Sequence, residues 1–339
     1  MLNQEYIESI KHGGFRSFVK KATELGLDIT ILLEEPRVLE FRSTDRAIVC
    51  VNDCIPAFKR ASNTATRNKA ATKAVLSSFG IPTPKGILAT SLKDLEEKLF
   101  HTPLKFPLIT KPVDQSLARG VTWNIRSKAE LVQGIEYVNK TLLGLSAKQS
   151  DVFLVEEMAP GDEYRILVFN QTILSCVKKV PATVIGDGVS SIQQLIDTFN
   201  QTRVPGFEIK VDDTVIKNLE RAGLTPQSIL PKNTPQKLRN NLNMSDGGRA
   251  VECTAIVGRH IKDACLKSLE ALGMNYGGID IITRSITDPL SPYVVLEVNP
   301  LPYYNMHEKP LVEGEGIDFS MILLKEFFPE LRILSERVY

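Results

Sequence analysis

A chain of 339 residues exceeds the usual single domain, so two or three packed units are expected. Its 43% apolar residues are ordinary for a globular protein, and 41 basic against 40 acidic residues, a net charge of +1, give no general attraction to nucleic acid or a membrane surface. The opening MLNQEYIESI has an early acid and no apolar core, so no signal peptide is expected, and no apolar run approaches the roughly 20 residues that span a bilayer. Five cysteines and four histidines lack the spacing of a zinc site or a disulfide framework, so a reduced, cytoplasmic setting is expected.

RSFVKKATELG (16–26) reads as a helix, followed by the strands LDITILL (27–33) and RAIVCVN (46–52), together a short α/β unit. In SNTATRNKAATKAVLSSFG (62–80), Ala70, Ala71, Ala74, Val75 and Phe79 recur at helical spacing, and Gly80 stands where a helix stops. IPTPKG then breaks the chain. A second portion opens near residue 92 with a short helix and the strand FPLITKP. In SKAELVQGIEYVNKTLLG (127–144), Ser127 and Glu130 have capping-box spacing, so a helix is predicted. VFLVEEM reads as a strand, and EYRILVFNQTILSCVKKVPA as a hairpin turning at Asn170-Gln171. SSIQQLIDTFN (190–200) and GRHIKDACLKSLEALG (258–273) are predicted helices, and YGGIDIITR and YVVLEVN the last clear strands. Residues 201–245, polar and proline-bearing, read as an elaborated excursion. The pattern is mixed α/β in three portions, 1–90, 91–155 and 156–339.

Strand alternation in SPYVVLEVNP (291–300) puts Val295, Glu297 and Asn299 on one face. A carboxylate among strand apolars is costly unless water, an arginine or a metal compensates it. Asp280 interrupts a second apolar strand, GGIDII, in the same way. Asp280, Glu297 and Asn299 together offer the hard oxygen ligands that suit Mg²⁺ with phosphate; either acid alone reads more readily as a strand-edge group facing solvent. GxxxxGK[ST] does not occur, and GDGVSS (186–191) lacks the third glycine of GxGxxG, which weighs against P-loop and Rossmann nucleotide sites.

NKAATKAVLSSFGIPTPKG, FPLITKPVDQSLARGVT, VFLVEEMAPGDEYRILVFN and GGIDII…VVLEVNP follow one another in the order and spacing of the ATP-grasp superfamily. KVPATVIGDGVSSIQQLID, LRNNLNMSDGG and the MH of NPLPYYNMHEKP narrow the resemblance to the ATP-grasp module of cyanophycin synthetase and the bifunctional glutathione synthetases, over about residues 45–310. The resemblance implies an ATP-grasp fold, in which ATP is enclosed by two α+β subdomains, and ligation of a carboxylate to an amine. Lys69 and Lys111 match the lysines that contact the nucleotide phosphates, and DQSLARGVT the loop that covers them, with Ser116, Arg119 and Gly120 participating. VEEMAPGDE resembles the adenine hinge: Glu156 accepts from the adenine amino group, Glu157 follows it, the backbone of Met158 and Ala159 meets the ring edge, and Glu163 binds the ribose. Asp280, Glu297 and Asn299 match the ligands of two Mg²⁺ ions, with Mn²⁺ as a substitute.

At the reacting end the resemblance implies the cations Arg165, Lys179 and Arg239 with Asn241 nearby, each cation worth on the order of 10²–10³ in rate by analogy with an oxyanion-hole donor. Ser245, Gly247, Gly248 and Arg249 of NMSDGGR would face the substrate, and His307 reads equally as substrate-facing or as packed in the core. The chain departs from relatives in its glycine-poor phosphate loop, in Gly278 where D-alanine ligases carry arginine, and in Asn305 before the MH. Arg239 is expected to take the role of the missing arginine. The expected activity is ATP-dependent carboxylate–amine ligation through an acyl phosphate on an amino acid or small peptide, releasing ADP and phosphate. A nucleotide-binding regulatory module and a small-molecule kinase are the rival readings. The chain is expected to act alone, as a homodimer or with separate pathway enzymes, and without nucleic acid or membrane partners.

Overall fold

The computed structural model describes residues 4–33, 37–51, 55, 66, 68–113, 119–143 and 152–330. In chain order the helices are α1 (Gln4–Ser9), α2 (Gly13–Glu24), α3 (Lys69–Ser78), α4 (Leu92–His101), α5 (Lys128–Leu143), α6 (Ile192–Gln201), α7 (Asp213–Arg221), α8 (Arg259–Ala271) and α9 (Phe319–Phe327). The strands are β1 (Asp28–Leu33), β2 (Val38–Arg42), β3 (Ala47–Val51), β4 (Gly86–Ala89), β5 (Leu108–Pro112), β6 (Thr122–Ile125), β7 (Phe153–Glu157), β8 (Asp162–Phe169) and β9 (Thr172–Val180). β10 (Thr183–Ile185), β11 (Pro235–Lys237), β12 (Arg249–Glu252), β13 (Tyr276–Thr283), β14 (Tyr293–Asn299) and β15 (Val312–Glu313) complete them. The chain divides into two compact units, one of residues 1–56, 175–255 and 303–339 and one of residues 57–174 and 256–302. None of the described helices is long and apolar enough to cross a membrane.

In the first unit, α2 buries Phe15, Phe18, Val19 and Ala22, the recurrence of a helix with one apolar face. Phe18 meets Phe41 of β2 edge-on, with ring centroids 5.2 Å apart. β2 lies between β1 and β3, antiparallel to both. The apolar runs mark the two outer strands but not this central one, whose five residues keep the alternation with only Leu39 and Phe41 as its buried apolar face. The excursion 201–245 is built rather than irregular. β11 pairs antiparallel with β10, and Ile192, Ile196, Val215, Leu219, Leu230 and Leu238 close a core beneath them. A full capping box between Ser191 and Gln194 starts α6. β12 pairs antiparallel with β9 and parallel with β15.

In the second unit an antiparallel sheet runs β4–β7–β5–β6. α4 and α5 cover it, burying Leu95, Leu131 and Ile135 against Leu108, Phe153 and Val155. Ser127 Oγ accepts from the Glu130 N–H at 3.2 Å, but the Glu130 carboxylate accepts from the Arg126 N–H at 2.8 Å, so half of the expected capping box forms. β13 lies between β8 and β14, antiparallel to both, with α8 packed against them. The chain leaves β8 through Asn170 and Gln171 at φ 46° and 60°, the left-handed pair of a tight two-residue turn, as predicted.

α3 corrects the predicted apolar stripe. Asn68 caps it, its Oδ1 accepting from the Ala70 and Ala71 N–H groups at 2.9 and 3.1 Å, and Gly80 at φ 68° ends it; residues 62–65 and 67 lie outside those described. Ala71, Ala74 and Phe79 are exposed, whereas Thr72 and Leu76 are buried, with Lys69 and Lys73 half-buried on the same face. Alanines mark helix propensity as much as burial, and a lysine can lie on the inner face where a carboxylate, Glu156 for Lys73, meets its charge. The alanine spacing therefore pointed to the wrong face.

Candidate functional site

β13 and β14 place the predicted metal ligands together in the second unit. Asp280 stands directly opposite Glu297, and Gly278 opposite Asn299, so the three side chains share one face. The register then shifts: Ile281 faces Val295, leaving Leu296 as an extra residue, a β-bulge. Val295 therefore leaves the face of Glu297 that uninterrupted alternation assigned to it. Asp280 is 3% exposed, and the Arg165 guanidinium grips it from β8 through Nε and Nη2, while Asn299 Nδ2 approaches its Oδ2 at 3.4 Å. Burial opposes the charge of Arg165, but Asp280, Glu297 and Glu163 outweigh it and hold its pKa above the ordinary value.

Gly278 explains how the guanidinium fits. A Cβ at 278 would stand 2.6 Å from Pro302 Cβ and 3.0 Å from Arg165 Cδ, so the space over this glycine belongs to Arg165. Two carboxylates and an amide oxygen form a hard donor set that fits a small divalent cation. No group of three or more His, Cys, Asp or Glu suited to a metal occurs among the described residues.

One open cleft is lined by Lys69, Lys111, Glu156 and Glu297, together with Thr66, Thr72, Lys73 and Val295 among others. Backbone bonds hold its walls: the Lys69 N–H donates to the Val113 carbonyl at 2.9 Å, and the Val295 N–H to the Pro82 carbonyl at 2.8 Å. Glu156 is 3% exposed and forms ion pairs with Lys73 from α3 and with Lys111 from β5, the latter at 2.5 Å. Burial raises the cost of its charge, yet the ammonium groups of Lys111 and Lys73 hold its carboxyl below the usual range. The sequence reading did not single out Lys73. Its position one turn after Lys69 was the available signal.

The hinge segment is partly occupied by the fold itself. Glu157 Oε1 accepts from the Lys105 N–H at 2.9 Å, and the Met158 N–H donates to the Pro107 carbonyl at 2.9 Å, leaving the Met158 side chain exposed. Ala159 follows, and Glu163 lies opposite Ile282, two residues before Arg165 on β8. Arg119 is exposed and Gly120, at φ 69°, is buried; Ser116 lies outside the described residues.

The remaining predicted residues belong to the first unit. Arg239 is 5% exposed, with Nη2 donating to the Lys210 carbonyl at 3.0 Å and to Asp212 Oδ2 at 2.6 Å. Lys179 stands opposite Ala250 in the β9–β12 pair. Asn241 Nδ2 donates to Asp246 Oδ2 at 3.0 Å. Ser245 is exposed, Gly247 and Gly248 are buried, and Arg249 reaches Glu313 at 3.3 Å. His307 is fully buried, its Nδ1 2.9 Å from Ser175 Oγ.

No family model matches the chain. It is 35% identical over 254 residues to cyanophycin synthetase of Trichormus variabilis, covering 72% of the chain and 27% of that protein. It is 28% identical over 335 residues to glutathione biosynthesis bifunctional protein GshAB of Enterococcus faecalis, covering 93% of the chain and 42% of that protein. The crystal structure of a bifunctional glutathione synthetase from Pasteurella multocida superimposes with a TM-score of 0.69 at 24% identity, over 93% of this chain and 44% of that one, so the two share a fold. The chain thus spans less than half the length of these relatives.

Proposed function

We propose, for a chain that is related to the ATP-grasp ligases and has their fold, that it joins a carboxylate to an amine at the expense of ATP. The observation that carries this reading is the second unit's cleft, where Lys69, Lys111, Glu156 and Glu297 meet, with Glu297 on the face it shares with Asp280 and Asn299. ATP-grasp ligases use ATP and divalent metals. In this reading Asp280, Glu297 and Asn299 hold Mg²⁺, which would screen the phosphate charge that the acid substrate must approach. Lys69 and Lys111 bind phosphate oxygens, and the hinge 156–163 receives the adenine and ribose. Residues 91–155 serve as the lid subdomain and 156–339 as the subdomain carrying the metal ligands.

The chemistry needs no protein nucleophile. A carboxylate oxygen of the acid attacks the γ-phosphorus, the bond to the bridging oxygen breaks, and ADP leaves. The amine then attacks the acyl-phosphate carbonyl and expels phosphate. Arg165, held on the acid face, stabilises the charge that gathers during phosphoryl transfer. The protein's contribution is positioning, charge and exclusion of water, because a leaked acyl phosphate hydrolyses. The acid is an amino acid or small peptide.

Incubation with Mg-ATP and pooled amino acids tests the reading. Phosphate release that depends on an amine, with a condensed product by mass spectrometry, is expected; a phosphorylated product alone would identify a kinase, and binding without turnover a regulatory module. Glu297→Gln is expected to lower kcat at least about 10²-fold with an unchanged circular dichroism spectrum. Wild-type turnover in that variant would remove Glu297 from the site.

A further inference from the structure

Glu156 holds two lysines where charge balance requires one. Lys73 Nζ reaches its Oε1 from α3, and Lys111 Nζ lies 2.5 Å from its Oε2 from β5. Burial pushes the Lys73 ammonium below its ordinary pKa while Glu156 opposes the shift, so Lys73 is not a freely solvated surface lysine. The pair is enclosed at Gly86, which faces Glu156 across the β4–β7 ladder. A Cβ at Gly86 would stand 2.7 Å from Glu156 Cγ, 2.8 Å from the Val155 carbonyl oxygen and 3.3 Å from Lys73 Nζ.

We propose that Lys73 is a positioning residue, the reserve counter-ion of Glu156, which keeps this buried carboxylate compensated when Lys111 turns to a nucleotide phosphate. The inference rests on the nucleotide reading above. With Lys111 as the only partner, moving its ammonium onto a phosphate would leave Glu156 buried and unpaired, a costly state. Binding would then be charged with breaking that pair. Because Lys73 already occupies Oε1, Lys111 can leave Oε2 at smaller cost. Lys69, one turn earlier on the same helix face, takes phosphate directly and has no such role.

Isothermal titration with Mg²⁺ and the non-hydrolysable analogue AMPPNP tests this. Lys73→Met is expected to weaken binding about tenfold or more, and Lys73→Arg much less. In a Glu156→Gln background, where no carboxylate needs a counter-ion, Lys73→Met is expected to cost less than about threefold. A merely structural lysine would not be rescued in this way. Lys73→Gln, which also removes the charge, is expected to weaken binding likewise and provides a second measurement if Lys73→Met does not fold. Wild-type affinity in both Lys73→Met and Lys73→Gln overturns the inference alone, as does an equal loss from Lys73→Met in both backgrounds. No binding by the wild-type chain overturns the nucleotide reading and this inference with it.

Discussion

Asp280 and Arg165 face each other across β13 and β8, and each is costly to bury without the other. Their side chains are 4% and 11% exposed, so solvent screens the pair little. Removing one partner from such a pair costs about 3–5 kcal/mol, whereas removing both charges costs far less. Arg165→Met is therefore expected to destabilise the protein by that amount, and Arg165→Met with Asp280→Asn to recover most of it, as read from urea unfolding. An unrescued double variant would show that the arginine acts through packing. The glycine at 278 was visible in the sequence as a departure from D-alanine ligases. What fills the space over it was not, because Arg165 lies 115 residues from its partner along the chain.

At the scale of elements, α9 begins against a buried acid. Glu308 Oε1 accepts from the Phe319 and Ser320 N–H groups at 3.0 and 3.3 Å, taking up N–H groups that a helix start leaves unpaired. Burial nevertheless pushes this carboxyl up from 4.5 to about 7; neighbouring Asp318 adds to the rise and Lys21 opposes it. Between those two values the folded protein keeps a proton that the unfolded chain has released. Its contribution to stability is thus present below the lower value and lost as pH rises through the upper, with a slope of at most about 1.4 kcal/mol per pH unit. Glu308→Gln is expected to flatten that part of the stability–pH curve, as measured by urea midpoints across the range. An unchanged slope would assign the titration to another group. Among the other elements, α6 was legible in SSIQQLIDTFN, and the structure adds its capping box from Ser191 and Gln194, whereas β2, with only Leu39 and Phe41 on its buried face, was too short to stand out.

For the whole molecule, ligand linkage supplies the test. A nucleotide that binds only the folded state adds about 2.7 kcal/mol at a concentration 100 times its Kd. Calorimetry is expected to show a melting temperature raised by Mg-ATP, with the Mg²⁺-dependent part of the rise lost in Glu297→Gln. A variant that keeps the full increment would separate Glu297 from the metal. The helices α5 and α8, the strands β13 and β14, the turn at Asn170-Gln171 and the shared face of Glu297 and Asn299 followed from the sequence alone, since periodicity, caps and turns are set by residues within a few positions of one another. Tertiary structure alone decided that Lys73 joins Lys111 on Glu156, that Leu296 bulges out of β14, and that residues 201–245 help to close a core of their own. Lys73 and Glu156 are 83 residues apart, and no local pattern encodes which distant charge a buried carboxylate will meet; that choice is made by packing and by the cost of leaving the charge uncompensated.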